Sequence, residues 1–314
     1  MLSWRKRSEP NAPLTGTTGR PELSVIVVFY DMAREARRTI KSLLPPYQRD
    51  ISESNIEIIA IDNGSDVPLG DAYFAEFGDV VRHIRHDTDS ASPVDALNMG
   101  SDLARGEYVG FIIDGARMAS PGLLASTIRA TRTYDDVLVG TLAWHLGPKP
   151  QRFSMLEGYD QKREDELLAG IDWINNGYGL FEISCLAPSS ADGYVNGLPH
   201  ECSYVALSKN ALTRLGGYDA RFQTPGGGLV SVDFMRRALE LGDLQPVMLL
   251  GEGTFHQFHG GIATNAPPDK RPLELYHLEY EHLVGKRYAG LPANEPVYFG
   301  QVRKELRRFM WQRA

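Results

Sequence analysis

The sequence predicts an α/β fold built on a mostly parallel central sheet flanked by helices. Its first half alternates short β-branched apolar runs with stretches of helical periodicity, the pattern of repeated strand–helix units. The runs are apolar on both faces, as buried parallel strands are. They lead into Asp31, Asp62 and Asp114, and in such sheets ligands bind outside the carboxyl ends of the strands. One acid in such a place is an ordinary cap or turn former. Three of them, joined by Tyr30, point to a site.

Residues 23–29 (LSVIVVF) form the first expected strand. Asp31 is placed to cap a helix in which Ala33, Ala36, Ile40, Leu43 and Leu44 recur at helical spacing, until Pro45 and Pro46 stop it. Residues 56–61 (IEIIAI) give the second strand and 80–84 a shorter third. Ser92-Pro93-Val94-Asp95 combines a cap serine, a first-turn proline and an acid three residues after the cap, which starts a helix running to Ala104 and stopped at Gly106. Residues 108–113 (YVGFII) are the fourth strand, Ser120-Pro121 repeats the cap-plus-proline signal, and 137–143 are the fifth strand. Units of this length join parallel strands by right-handed crossovers.

The second half is less regular. Residues 171–200 are dense in Gly, Asn, Ser and aromatic groups, as a binding surface made of loops would be. A strand at 204–207, a helix at 210–215, a turn at Gly216-Gly217-Tyr218-Asp219 and a helix at 231–241 follow. A last strand at 247–250 leads into a segment with His256 and His259, and a long helix covers 272–288.

The 314 residues, 42% hydrophobic and 23% charged, suffice for one compact unit. No apolar run nears the roughly 20 residues of a membrane helix. A net charge of −7 argues against a nucleic-acid partner, which needs clustered Lys and Arg. Residues 1–20 start basic without the apolar segment of an export signal and read as a flexible lead. A cytoplasmic location is expected. The basic tail VRKELRRFMWQRA suits either a solvated helix or a peripheral membrane contact. Cys185 and Cys202 are too few for a disulfide framework and lack metal-type spacing, so buried free thiols are expected. A nicotinamide-dependent dehydrogenase needs a glycine-rich turn after its first strand, and Phe29-Tyr30-Asp31-Met32-Ala33 has none. A P-loop motif is also missing, as is the early Gly- and Arg-rich loop of a sugar-nucleotide pyrophosphorylase.

Three segments together resemble the family 2 glycosyltransferases, over roughly residues 21–260. SVIVVFYDMAREARRTIKSL is similar to that family's first strand and helix, with Tyr30-Asp31 where Tyr-Asn is usual. IIAIDNGSD is similar to its second-strand signature, and ALNMGSDLARGEYVGFIIDG to the segment leading to its metal-binding D-x-D. The resemblance implies a GT-A fold, a UDP- or GDP-sugar donor, a glycan or other hydroxyl acceptor, inversion at the anomeric carbon, and a divalent cation, Mn2+ or Mg2+. It puts Asp62 on the imino proton of the base, Tyr30 beside that base, and Asp31, Asn63 and Asn98 among the donor contacts. Asp114 becomes a ligand of the metal that neutralises the departing diphosphate.

Two departures from the family pattern matter. Asp114-Gly115-Ala116 keeps the first acid of D-x-D and has alanine for the last. A late histidine completes the metal shell in many GT-A enzymes, which makes His256 and His259 candidates, and imidazole suits manganese better than magnesium. The family's Glu-Asp-x-Asp run becomes Val230-Ser231-Val232-Asp233. Asp233 is then the remaining candidate for the base that deprotonates the acceptor, although an acid also suits a helix N-terminus. Glu201 and Asp192 are substitute bases. The expected organisation is a lead at 1–20, a nucleotide-sugar half at 21–145, an acceptor-side half at 146–262 and a helical extension at 263–314. The departures leave a second reading, a non-catalytic relative that binds a nucleotide or glycan without turnover.

Overall fold

The computed structural model describes residues 19–194, 197–199, 203–261, 264–267 and 270–309. β1 (Leu23–Phe29) is fully apolar apart from Ser24 and is buried along its length. It leads through α1 (Ala33–Ser42) to β2 (Ile56–Asn63), and α2 (Asp71–Phe74) precedes β3 (Val81–His86). α3 (Val94–Leu103) then returns the chain to β4 (Tyr108–Ile112). β1 pairs parallel with both β2 and β4, and β3 extends the sheet beyond β2. These bounds follow the expected strands closely.

β5 (Arg117–Ala119), α4 (Leu123–Thr133) and β6 (Val137–Leu146) come next, followed by α5 (Gln151–Ser154), α6 (Gln161–Gly170) and β7 (Ser184–Leu186). β8 (Val205–Ser208), α7 (Lys209–Leu215), α8 (Val230–Glu240), β9 (Gln245–His256), α9 (Leu273–Val284) and β10 (Val297–Gly300) complete the described elements. The main sheet order is β10-β9-β6-β8-β4-β1-β2-β3, with β5 on β9 and β7 on β6. β8 is antiparallel to both neighbours, whereas β6, β9 and β10 pair parallel. Alternate residues serve two cores: Val25, Val27, Phe29, Ile58 and Ala60 face α1 and α4, while Ile26, Val28, Ile59 and Ile61 face α3 and α8.

Several local expectations are corrected. Asp31 does not cap α1. It has a left-handed φ of 50°, and Met32 takes the N-cap position. Ser120 does not cap α4; its hydroxyl donates to buried Glu252 at 2.6 Å. The chain from 251 onward is not a loop, because β9 continues to His256. Gly251, with φ 79°, turns the corner, and a side chain there would sit 2.1 Å from the Gln301 carbonyl. Gly253 makes room for Trp144, whose ring would lie 2.1 Å from an added Cβ. The C-terminal extension is not wholly helical, since β10 joins the sheet beside β9. The tail is not a solvated helix within the described residues: Leu306 and Phe309 are buried, and Arg308 donates to the Ser184 carbonyl at 2.8 Å. Cys185 is only partly buried, with its thiol pushed up to about 11 by burial. Cys202 lies outside the described residues.

Candidate metal and donor site

The ends of β1, β2 and β4 lie side by side in the sheet. β4 ends at Ile112, and Asp114 follows in a turn held by the Gly115 N–H on the Val28 carbonyl, 2.8 Å, and by Thr39 Oγ1 on the Gly115 carbonyl, 2.6 Å. The chain then doubles back as β5, which lies antiparallel on β9 with Arg117 opposite His256. His145 at the end of β6 is the other register partner of His256. The hairpin-like return therefore carries Asp114 to His256.

Asp114, His256 and His259 form a group whose ligand atoms all lie within 4.8 Å of one another. Asp114 Oδ2 is 2.7 Å from His256 Nε2 and 3.7 Å from His259 Nε2. Its Oδ1 accepts the Ala116 N–H at 3.0 Å. Ala116, where the second acid of D-x-D would stand, is buried in the core.

The tautomer of His256 is fixed from behind. The Gln151 amide nitrogen donates to the His256 carbonyl at 2.8 Å and to the Leu146 carbonyl at 3.3 Å, which orients Oε1 toward His256 Nδ1, 2.8 Å away. Nδ1 thus carries the proton. In the neutral ring Nε2 then presents an electron pair to a carboxylate oxygen, and two acceptors at 2.7 Å need a proton or a cation between them. Burial opposes ionisation of Asp114, but the two histidines outweigh it and hold the carboxyl well below the usual range. Burial lowers His256 despite the attraction of Asp114. For His259 burial is again the largest influence, yet Asp114 and Glu35 overcome it and raise the ring. A carboxylate with two imidazoles is a donor set that divalent transition metals accept.

The donor-side residues fare unevenly. Tyr30 stands half exposed beside Asp31. The Asp31 carboxylate accepts the Asp66 N–H at 2.9 Å and its own N–H donates to Ser65 Oγ at 2.9 Å, which cross-links the ends of β1 and β2. Asp62 is fully buried; it accepts the N–H groups of Ser65 and Leu69 at 3.1 and 2.8 Å and Arg85 at 3.0 Å. It anchors the loop beneath Asp31 and does not project to a base. Asn63 is buried, with Nδ2 on the Ser92 carbonyl and Oδ1 without a partner among the described residues. Asn98 spends its whole amide on the backbone of Tyr218, at 2.9 Å in each direction, so it fixes the 216–219 turn.

Asp233 is not brought to the site. It is buried between Arg236 and Arg237, at 2.7 Å from each, and Arg237 continues to the carbonyls of Leu215 and Gly217. The expected base is a strut that ties α8 to the preceding turn. Asp192 is exposed in the segment after Ser190. Glu201 lies outside the described residues.

Sequence reasoning missed Glu164, Gln151 and Asn265. Glu164 is fully buried on α6, and burial pushes its carboxyl up to about 7 against the pull of Phe258, Arg34 and Arg38. Asn265 Oδ1 accepts the N–H groups of His259 and Gly260 at 3.1 and 3.0 Å. Gln151 and Glu164 come from elements far from His256 in the chain, so their spacing carried no signal, whereas Asn265 follows His259 by six residues. A cleft of about 550 Å³ opens beside His259, lined also by Arg34, Lys162, Asp165 and Gly260. Among the described residues no helix is long and apolar enough to cross a membrane.

Residues 24–171 match the family model for glycosyl transferase family 2. No curated protein matches the chain. Among solved structures, S. aureus TarS is similar with a TM-score of 0.51 at 13% identity, over 76% of this chain and 37% of TarS. TarS 1-349 in complex with UDP-GlcNAc gives 0.51 at 12% identity, over 83% of this chain and 66% of that one. The chain thus spans little more than a third of that TarS chain, and the likeness supports the GT-A fold alone. The match to the glycosyl transferase family 2 model spans 148 of the 314 residues, just under half of the chain.

Proposed function

We propose that the chain transfers a sugar from a nucleoside-diphosphate sugar to an acceptor hydroxyl, with inversion and with help from a divalent cation. The observation that carries this reading is the Asp114–His256–His259 group at the carboxyl edge of the sheet. Manganese, held by Asp114 and His256 with His259 as the outer ligand, would supply a Lewis acid for the leaving diphosphate. The cross-linked ends of β1 and β2 would seat the base, with Tyr30 as the exposed ring and Asp62 acting through the loop it anchors. Because a structure of the same fold holds UDP-GlcNAc, a UDP-sugar is the first donor to try.

Direct displacement requires a base on the acceptor side. With Asp233 committed to two arginines, Glu201 and Asp192 stay the candidates for that role. The strut role of Asp233 is also what favours the second reading, a binding protein without turnover. A screen of UDP- and GDP-sugars against glycan acceptors, with product configuration read by NMR, decides between them. Transfer with inversion supports the enzyme, a retained configuration contradicts the mechanism, and donor binding with neither transfer nor hydrolysis supports the non-catalytic reading.

A further inference from the structure

We propose that Glu164 and Arg34 form a positioning pair that holds His259 in reach of Asp114 and His256 by clamping the peptide groups of Phe258. The inference rests on the metal-site reading above and concerns two residues that reading does not use. Phe258 lies between the two histidines in sequence. Its N–H donates to Glu164 Oε2 at 2.7 Å, its carbonyl accepts from Arg34 Nη1 at 3.0 Å, and Arg34 Nη2 donates to Glu164 Oε1 at 2.8 Å. The three contacts close a ring around one residue.

The need for such a clamp follows from where β9 ends. His256 belongs to the strand and is fixed by its register with His145 and Arg117. Residues 258–260 follow the strand without a ladder partner, so their backbone groups must be satisfied otherwise. Glu164 takes the N–H of Phe258, and Asn265 takes those of His259 and Gly260. Arg34 comes from α1 and Glu164 from α6, so two separate elements converge on this short segment. His259, at 3.7 Å from Asp114 against 2.7 Å for His256, is the ligand whose place depends on the segment. A fully buried carboxylate is costly to fold around even when paired. Glu164 returns position for that cost.

The test is manganese titration by calorimetry on the full chain, for wild type, E164Q, R34K, H259A and E164Q/H259A, with the thermal midpoint of each. E164Q and R34K should weaken manganese binding about 10- to 100-fold, as disturbed outer-shell partners do. E164Q should cost less than about 2-fold more in the H259A background, because the residue it positions is gone. R214Q, which breaks an exposed ion pair with Asp243, should leave the affinity unchanged. If E164Q does not fold, R34K carries the same test: it keeps the charge but cannot span Glu164 and the Phe258 carbonyl together. An E164Q protein that binds like wild type overturns the clamp, and so does an equal loss with and without His259, which would mean general loosening. A wild type that takes up no manganese overturns the metal site, and the clamp with it.

Discussion

Oδ2 of Asp114 lies 2.7 Å from Nε2 of His256, whose other ring nitrogen is already committed to Gln151. An acceptor facing an acceptor in a buried site calls for a proton or a cation between them, and on the metal reading the cation takes that place. Asp114→Ala and His256→Ala should therefore each lower manganese affinity by at least about 100-fold, the upper end of what outer-shell losses cost. Calorimetry with manganese checks this, and affinity retained in either variant would remove that residue from the ligand set.

Asp233 is predicted to matter for folding and not for proton transfer. Removing one partner of a buried ion pair costs about 3–5 kcal/mol, and the partial exposure of Arg236 and Arg237 puts Asp233→Asn at or below the lower figure. The urea midpoint should fall, with nucleotide affinity in the folded protein kept. Unchanged stability together with lost turnover would return Asp233 to the role of base.

Gly115 should tolerate no side chain. A Cβ there would stand 2.3 Å from the Phe29 ring and 2.5 Å from the Val28 carbonyl, and the backbone contact cannot swing aside. Gly115→Ala should cost about 1–3 kcal/mol, the usual range for overpacking, and should weaken manganese binding by displacing Asp114. Denaturant unfolding and metal titration on the same variant check both effects.

Glu164 gives a pH signature. Its carboxyl is raised from about 4.5 to about 7 in the folded protein, so between these values the native state holds a proton the unfolded chain has released. The stability this group contributes is full below about 4.5 and is lost as pH rises through 7. Wild type should accordingly lose stability relative to Glu164→Gln across that window, by about 3 kcal/mol at most. Urea unfolding of both proteins at pH 4.5 and 7.5 measures it, and a difference independent of pH would contradict the assignment.

The donor-side half of the fold is legible because its strands are continuous apolar runs with no competing signal, as at 23–29 and 56–61. The late half is obscured by residues that serve tertiary contacts. Gly251 and Gly253 suggest a loop, yet one turns a strand corner and the other accommodates Trp144, which hides the fact that His256 is a strand residue. Ser120 has the chemistry of a cap but binds Glu252 instead. Asp114 and the two histidines were readable as candidates from the family resemblance, and the fold brings them within 4.8 Å of one another. Gln151 and Glu164 were not, since only the folded chain brings them behind those residues.

The most direct test of the whole account is the affinity of a nucleoside diphosphate for the full chain with manganese, without it, and with chelator. A donor diphosphate and Asp114 sharing one cation should bind each other's ligand cooperatively, so the nucleotide should bind much more tightly with manganese and the metal more tightly with nucleotide, by the same factor. Asp114→Ala should abolish that coupling. A nucleotide affinity indifferent to manganese, to chelator and to Asp114→Ala would contradict metal-assisted donor binding at this site.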